Sequence, residues 1–232
     1  MHSSRLPPSA FRLRPVQGEP AIVGNIVSTA AKIYWRRLGL MVLANIVWLL
    51  ASLPIVTWPA ATAGLYALVR RVVAEELDDA AVDARLGDFW DGFRAHWQRA
   101  TLVTLLDLAG AAIIVVAFVS YGRSPVDPLR WLVGPIALVL MAWLAASLYV
   151  YPLLLHRLDA SAWQVMRQAL LIVLAYPLTS GSLLVTSLVL AVPAFVLAGP
   201  ILFVFFSAMA TVQTVALRHI LADRAELPET AP

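Results

Sequence analysis

Three long stretches of this chain carry no charge at all, and that absence limits its fold more than any other feature. Leu38–Val69, Trp131–Leu155 and Gln168–Leu217 contain no Asp, Glu, Lys or Arg, and Ala100–Gly122 contains only Asp107. About 20 apolar residues, at 1.5 Å rise each, cross the roughly 30 Å hydrocarbon layer of a bilayer. The composition agrees: 61% of the 232 residues are hydrophobic, 13% are charged, and the mean hydropathy is +0.80. A soluble domain is about 45–50% apolar and about 25% charged. A disordered or fibrous chain is excluded, and without cysteine so is a disulfide-stapled one. An ordinary soluble enzyme is excluded too, because so few polar residues could not cover its surface.

Prolines divide the long stretches. Pro54 and Pro59 split the first, and Pro193 and Pro200 flank the turn of the last. The expectation is an all-α, polytopic transmembrane helix bundle of six membrane segments, near 38–54, 59–75, 101–121, 131–155, 178–198 and 200–218. They pair into three hairpins. With both termini inside, every Lys and Arg except Arg123 and Arg130 falls on the cytoplasmic side, as the positive-inside rule requires. Charge counting is satisfied equally by a full crossing and by a re-entrant hairpin at 38–75, since both return to the same side. Trp35, Trp58, Trp90, Trp97, Trp131 and Trp163 lie near span ends, where amphipathic rings favour the headgroup zone. Trp48 and Trp143 fall inside spans and are expected to pack between helices.

Residues 1–21 read as a disordered cytoplasmic tail, 22–221 as the membrane domain and 222–232 as a short cytoplasmic tail. No early apolar core of a cleavable signal peptide is visible. The acidic run Glu75–Asp83 reads as a solvated linker. Amphipathic helices are expected on the cytosolic interface. One, over 88–99, groups Phe89, Trp90, Phe93 and Trp97. A second, over 161–174, groups Trp163, Met166, Leu170 and Leu174, with Ser161 placed to cap it. A weaker one spans 22–35, with Ile22, Ile26, Ile33 and Trp35. Each leads through Trp and Arg into a span, and the return spans end at Arg70-Arg71, His156-Arg157 and Arg218-His219. Three parallel repeats would produce this pattern. Plain positive-inside anchoring produces it as well, and is the simpler cause.

The blocks Asn45-Ile46-Val47-Trp48, Leu53-Pro54-Ile55-Val56-Thr57 and Pro59-Ala60-Ala61-Thr62-Ala63-Gly64-Leu65-Tyr66-Ala67-Leu68, followed by Asp88-Phe89-Trp90-Asp91-Gly92-Phe93-Arg94-Ala95-His96-Trp97, resemble the YesL-like family of bacterial membrane proteins. The resemblance extends over about residues 22–220, with sharp motifs in the first half and matching hydrophobic architecture in the second. It implies a polytopic inner-membrane protein, often encoded beside carbohydrate-uptake and sugar-degrading systems, and it supplies no catalytic residues. Physically, Pro54 ends one helix and Pro59 suits the first turn of the next, with Thr57 placed to cap it. Ala60 and Gly64 have the spacing of a close helix contact.

No catalytic or metal signature accompanies this architecture. His2, His96, His156 and His219 are each alone in sequence, whereas zinc sites show paired ligands at short spacing. There is no phosphate-binding glycine loop and no nucleophile elbow. The basic residues follow the membrane topology, which assigns them to anionic lipid rather than nucleic acid. Asp107 is the one carboxylate well inside a span, eight positions past Arg99, and such a charge is a functional candidate by default. A structural bond to Thr104 or to another helix is the competing and favoured use. Asn45 and Gln213 are the other intramembrane amides. The expectation is a non-enzymatic protein of the bacterial plasma membrane, without cofactor, that assists carbohydrate uptake or sensing. Its partners would be the lipid bilayer and permease subunits. The alternative is a small transporter or channel built on Asp107.

Overall fold

The computed structural model describes residues 19–78, 83–125, 127–196 and 202–226, and no strand occurs among them. The helices are α1 (Glu19–Arg36), α2 (Leu38–Ala51), α3 (Trp58–Asp78), α4 (Gly87–Gly122), α5 (Asp127–Arg130), α6 (Val133–His156), α7 (Ala162–Ala175), α8 (Pro177–Val196) and α9 (Leu202–Glu226), with a 3₁₀ turn at Ile55–Thr57 before α3. Residues 1–18 of the expected tail over 1–21 and the expected turn between the 178–198 and 200–218 segments lie outside the described residues, as does Asp79 in the acidic run. Helix α1 begins at Glu19, and α9 ends at Glu226.

The expected 59–75 segment lies in α3, which is not among the helices long and apolar enough to cross a membrane. Pro59, Ala60, Ala61, Ala63, Gly64, Leu65, Tyr66, Leu68, Val69, Val72 and Val73 are all buried, so α3 is wrapped by protein. Its apolar character is spent on helix contacts with α2, α4, α6 and α9. The seam with α4 depends on two glycines. A Cβ on Gly64 would stand 2.6 Å from the carbonyl oxygen of Phe89, and one on Gly92 would stand 2.3 Å from the Cβ of Ala67. Only hydrogen at those positions lets the two backbones approach.

Among the described residues, three helices are long and apolar enough to cross a membrane: Gly87–Gly122, Pro128–His156 and Val204–Ala222. The number rises to five if each of two sharply bent pairs counts as one span, Gly24–Arg36 with Leu38–Ser52 at 91° and Ala162–Ala175 with Pro177–Ala191 at 105°. The second elbow has a local cause. A residue before proline is driven out of the helical region, and Tyr176 sits at φ −129°, ψ 62°. The first elbow has no proline. Arg37 turns at φ −112°, ψ 26° while its guanidinium is held by Glu75 and Glu76 of α3.

Two amphipathic stretches behave differently from expectation. Residues 88–99 do not form a separate helix lying on the interface. They are the first turns of the 36-residue α4, with Phe89 buried and Phe93 packed against the core beside α3. In α7 the inward stripe is Val165, Met166, Ala169, Ile172 and Val173, while Trp163 and Leu174 point outward. The expected start of α7 is present: Ser161 accepts from the Gln164 backbone N–H, and the Gln164 side chain accepts from the Ser161 N–H. That reciprocal pair is a capping box.

The outer surface is apolar. Leu102, Leu105, Leu108, Ile113 and Val116 on α4 are exposed, and so are Leu138, Val139, Met141 and Leu144 on α6. Of the six tryptophans placed at span ends, every one is exposed, from 39% at Trp58 to 83% at Trp131, whereas Trp48 is 5% exposed. Trp48 stacks on Phe206 at 4.0 Å, and the Trp143 ring fills the space beside Gly110.

Candidate functional site

Within the bundle, polar side chains are joined across helices. Asn45 on α2 is fully buried, and its Oδ1 accepts the backbone N–H of Ser207 on α9 at 3.1 Å. The Ser207 hydroxyl lies 3.1 Å from the Tyr34 hydroxyl, which ties α1 to the same point. Gln213 on α9 accepts a hydrogen bond from the Tyr66 hydroxyl of α3. Asp107 is half-buried where α4 meets α6, and its carboxylate accepts from Ser147 at 2.7 Å. Its backbone carbonyl accepts the Trp143 indole N–H at 3.2 Å. Thr104 bonds Tyr151 at 2.6 Å rather than Asp107. The three intramembrane candidates therefore occupy different helix contacts and do not form one site.

At the first hairpin turn, Pro59 lies in the first turn of α3. The Thr57 hydroxyl faces backward, 2.6 Å from the carbonyl of Ala51 and 2.7 Å from that of Pro54. It thus serves the open C-terminal end of α2 and not the start of α3. The α2 carbonyls have no intrahelical donors after Pro54 breaks the chain direction, and the hydroxyl supplies one.

A cavity of about 1110 Å³ opens at the basic end of the bundle, between α1, α3, α6 and α9. The three return helices deliver their ends to it: Arg70 and Arg71 from α3, His156 from α6, and Arg218 and His219 from α9. Asp78 is the one carboxylate in the described lining, and it pairs with Arg218. Arg71 pairs at 2.8 Å with Asp88, which lies outside the lining. Arg70 donates to the main-chain carbonyl of Leu155, and no described carboxylate pairs with it. Tyr66 and Thr214 line the cavity from α3 and α9, Asn25 and Thr29 from α1, and Ile26, Leu77, Leu155 and Leu221 supply apolar wall. Asp107 is not part of this lining.

Sequence reasoning identified these basic residues as span ends but not as neighbours. The signal was present in the recurrence of a basic pair after each return span. What it lacked was the packing of α3, α6 and α9 that brings those ends together. Among the described residues, no group of three or more His, Asp or Glu is close enough to hold a metal ion.

An apolar-surfaced helical bundle, with several helices long and apolar enough to cross a membrane, defines a protein of the membrane-embedded helical class. Residues 41–118, about a third of the chain, match the family described as "Protein of unknown function, DUF624", to which YesL-like proteins belong. The match covers all four blocks that carried the resemblance. No curated protein and no solved structure matches the chain.

Proposed function

We propose that the chain is a non-enzymatic integral membrane protein of the bacterial plasma membrane, an accessory component of a carbohydrate uptake or sensing system. One observation carries this reading. The intramembrane polar groups Asn45, Gln213 and Asp107 are spent on bonds between helices, while the accessible polar chemistry lies at the basic end. Positive-inside segregation assigns that end to the cytoplasm, with both termini there. A protein of this kind acts through its cytoplasmic face and its helix surfaces. The link to carbohydrate uptake comes from the YesL-like resemblance alone, and is an argument by association.

The first hairpin is re-entrant in this reading. Helix α2 has 14 residues and so a length of about 21 Å, short of the roughly 30 Å hydrocarbon layer. Its tip exposes Leu53, Ile55 and Val56, a surface suited to lipid rather than water. Transport through Asp107 draws less support, since Ser147 occupies its carboxylate and the cavity lining does not include it.

The test is affinity purification of the full chain in mild detergent from cells grown on a range of carbohydrates. Permease subunits are expected in near-stoichiometric yield. A chain that purifies alone under every condition overturns the accessory role.

A further inference from the structure

Membrane anchoring explains why Arg residues cluster near a headgroup layer, but not why three helices direct basic side chains, Arg from α3 and α9 and His156 from α6, into one cavity. We propose that this cavity binds the phosphate group of an anionic ligand, with Arg70 as its principal anchor. The inference goes beyond the accessory role and holds with or without a permease partner.

The argument begins with charge. Three guanidinium groups and two imidazoles line the cavity against one carboxylate. Arg71 and Arg218 have carboxylate partners, in Asp88 and Asp78. Arg70 is itself exposed and has only the carbonyl of Leu155 among the described residues, on a turn of α3 whose neighbours Val69, Val72 and Val73 are fully buried. A guanidinium presents five donors and is always charged, so one main-chain acceptor leaves most of its fork open. Arg71 and Arg218 lie near enough to Arg70 to repel its charge, and an anion between them relieves that repulsion.

Shape then selects the anion. Donors reach the cavity from separate helices: Arg70 from α3, His156 from α6, Arg218 and His219 from α9, with Asn25 and Thr29 of α1 beside them. A carboxylate offers two oxygens and fits a single fork. A phosphate group offers at least three accepting directions and can take bonds from several helices at once. The wall of Ile26, Leu77, Leu155 and Leu221 accommodates an organic body on the phosphate. Basic pockets between membrane helices on the cytoplasmic side have the chemistry to hold phospholipid headgroups. A soluble phosphorylated solute would present the same group from the cytosol.

The experiment uses the full chain in nonionic detergent. Native mass spectrometry measures retention of dioleoyl phosphatidic acid against dioleoylglycerol, which differ only in the phosphate. Thermal unfolding measures protection by inorganic phosphate. Phosphatidic acid retention, phosphate protection, or both are expected in the wild type. Arg70→Gln should weaken whichever is seen by about tenfold, and Arg123→Gln, remote from the cavity, should leave it unchanged. Lipid retention that excess phosphate cannot displace identifies a headgroup as the source, and protection by phosphate without lipid preference identifies a soluble ligand. If Arg70→Gln does not fold, the His156→Ala/His219→Ala double variant replaces it, with about a threefold weakening expected from two lost donors. Equal retention of the two lipids with no phosphate protection overturns the proposal. So does equal weakening by the cavity variant and by Arg123→Gln.

Discussion

Asn45 and Asp107 have nearly the same size, one a neutral amide and the other an ionisable carboxylate, and they stand in different environments. Asn45 is enclosed on all sides, and its oxygen serves the Ser207 N–H of another helix. Removing it strands that donor where neither water nor lipid can replace it, which costs about 1–3 kcal/mol. Asn45→Ala should accordingly lower the midpoint of thermal unfolding in detergent by several degrees. Asp107 is half-buried, and an amide oxygen at the same place still accepts from Ser147. Asp107→Asn is therefore expected to change stability by less than about 1 kcal/mol. It should also leave solute uptake by cells carrying the protein unchanged; loss of uptake with intact folding would restore a transport role to the carboxylate. Sequence alone marked both side chains as intramembrane polar groups. It could not rank them, because the partner of Asn45 is 162 positions away and that of Gln213 is 147. Such distances are settled by packing, not by local pattern.

At the scale of elements, the close seam between α3 and α4 is held by absence of side chains. Gly92→Ala would place a Cβ 2.3 Å from Ala67, and overpacking of that kind costs about 1–3 kcal/mol. Gly134→Ala on α6 meets nothing within 4 Å and should be neutral or stabilising by up to about 1 kcal/mol. Thermal unfolding of the two variants should move in opposite directions or leave only Gly92→Ala shifted. The clamp between the first elbow and α3 gives a pH dependence. The Arg36 hydrogen bond, joined by that of Arg37 and opposed by burial, holds the Glu76 carboxyl below its usual range. Its stabilising contribution is fully present above the unfolded carboxylate value, about 4.3, and is lost as pH falls through the lower folded value. Unfolding midpoints should therefore be flat near neutrality and decline in acid, with the decline shallower in Glu76→Gln. The neutral-pH loss in that variant should stay below about 1 kcal/mol, as for partly exposed ion pairs. Local chemistry made some elements legible: the Ser161 box and the Tyr176-Pro177 bend are written in adjacent residues. The 88–99 stretch is part of a longer helix and not one of its own, a difference its pattern does not show because Phe89 and Phe93 look the same whether they face lipid or a glycine seam. No proline separates them from the span that follows, and α4 runs on unbroken.

For the whole molecule, the apolar outer surface was implicit in the charge-free stretches. Depth in the bilayer was not, because α3 carries a span-like composition to a place where protein surrounds it. The first hairpin makes that difference measurable. The chain has no cysteine, so single cysteines can be introduced without background and probed with a membrane-impermeant thiol reagent in right-side-out vesicles. Arg123→Cys, in the turn after α4, should react in sealed vesicles. Asp159→Cys, between α6 and α7, should react only after permeabilisation, as charge segregation demands. Ile55→Cys is the decisive position, since Ile55 is 86% exposed at the tip of the hairpin. A full crossing delivers that tip to external water, and its labelling should then match Arg123→Cys. A hairpin about 21 Å deep stops inside the hydrocarbon, where a thiol stays protonated and a charged reagent is excluded. The expected result is slow labelling of Ile55→Cys on both sides of the membrane, with fast labelling once detergent disperses the bilayer. Rapid labelling in sealed vesicles would replace the re-entrant hairpin with a complete pair of spans.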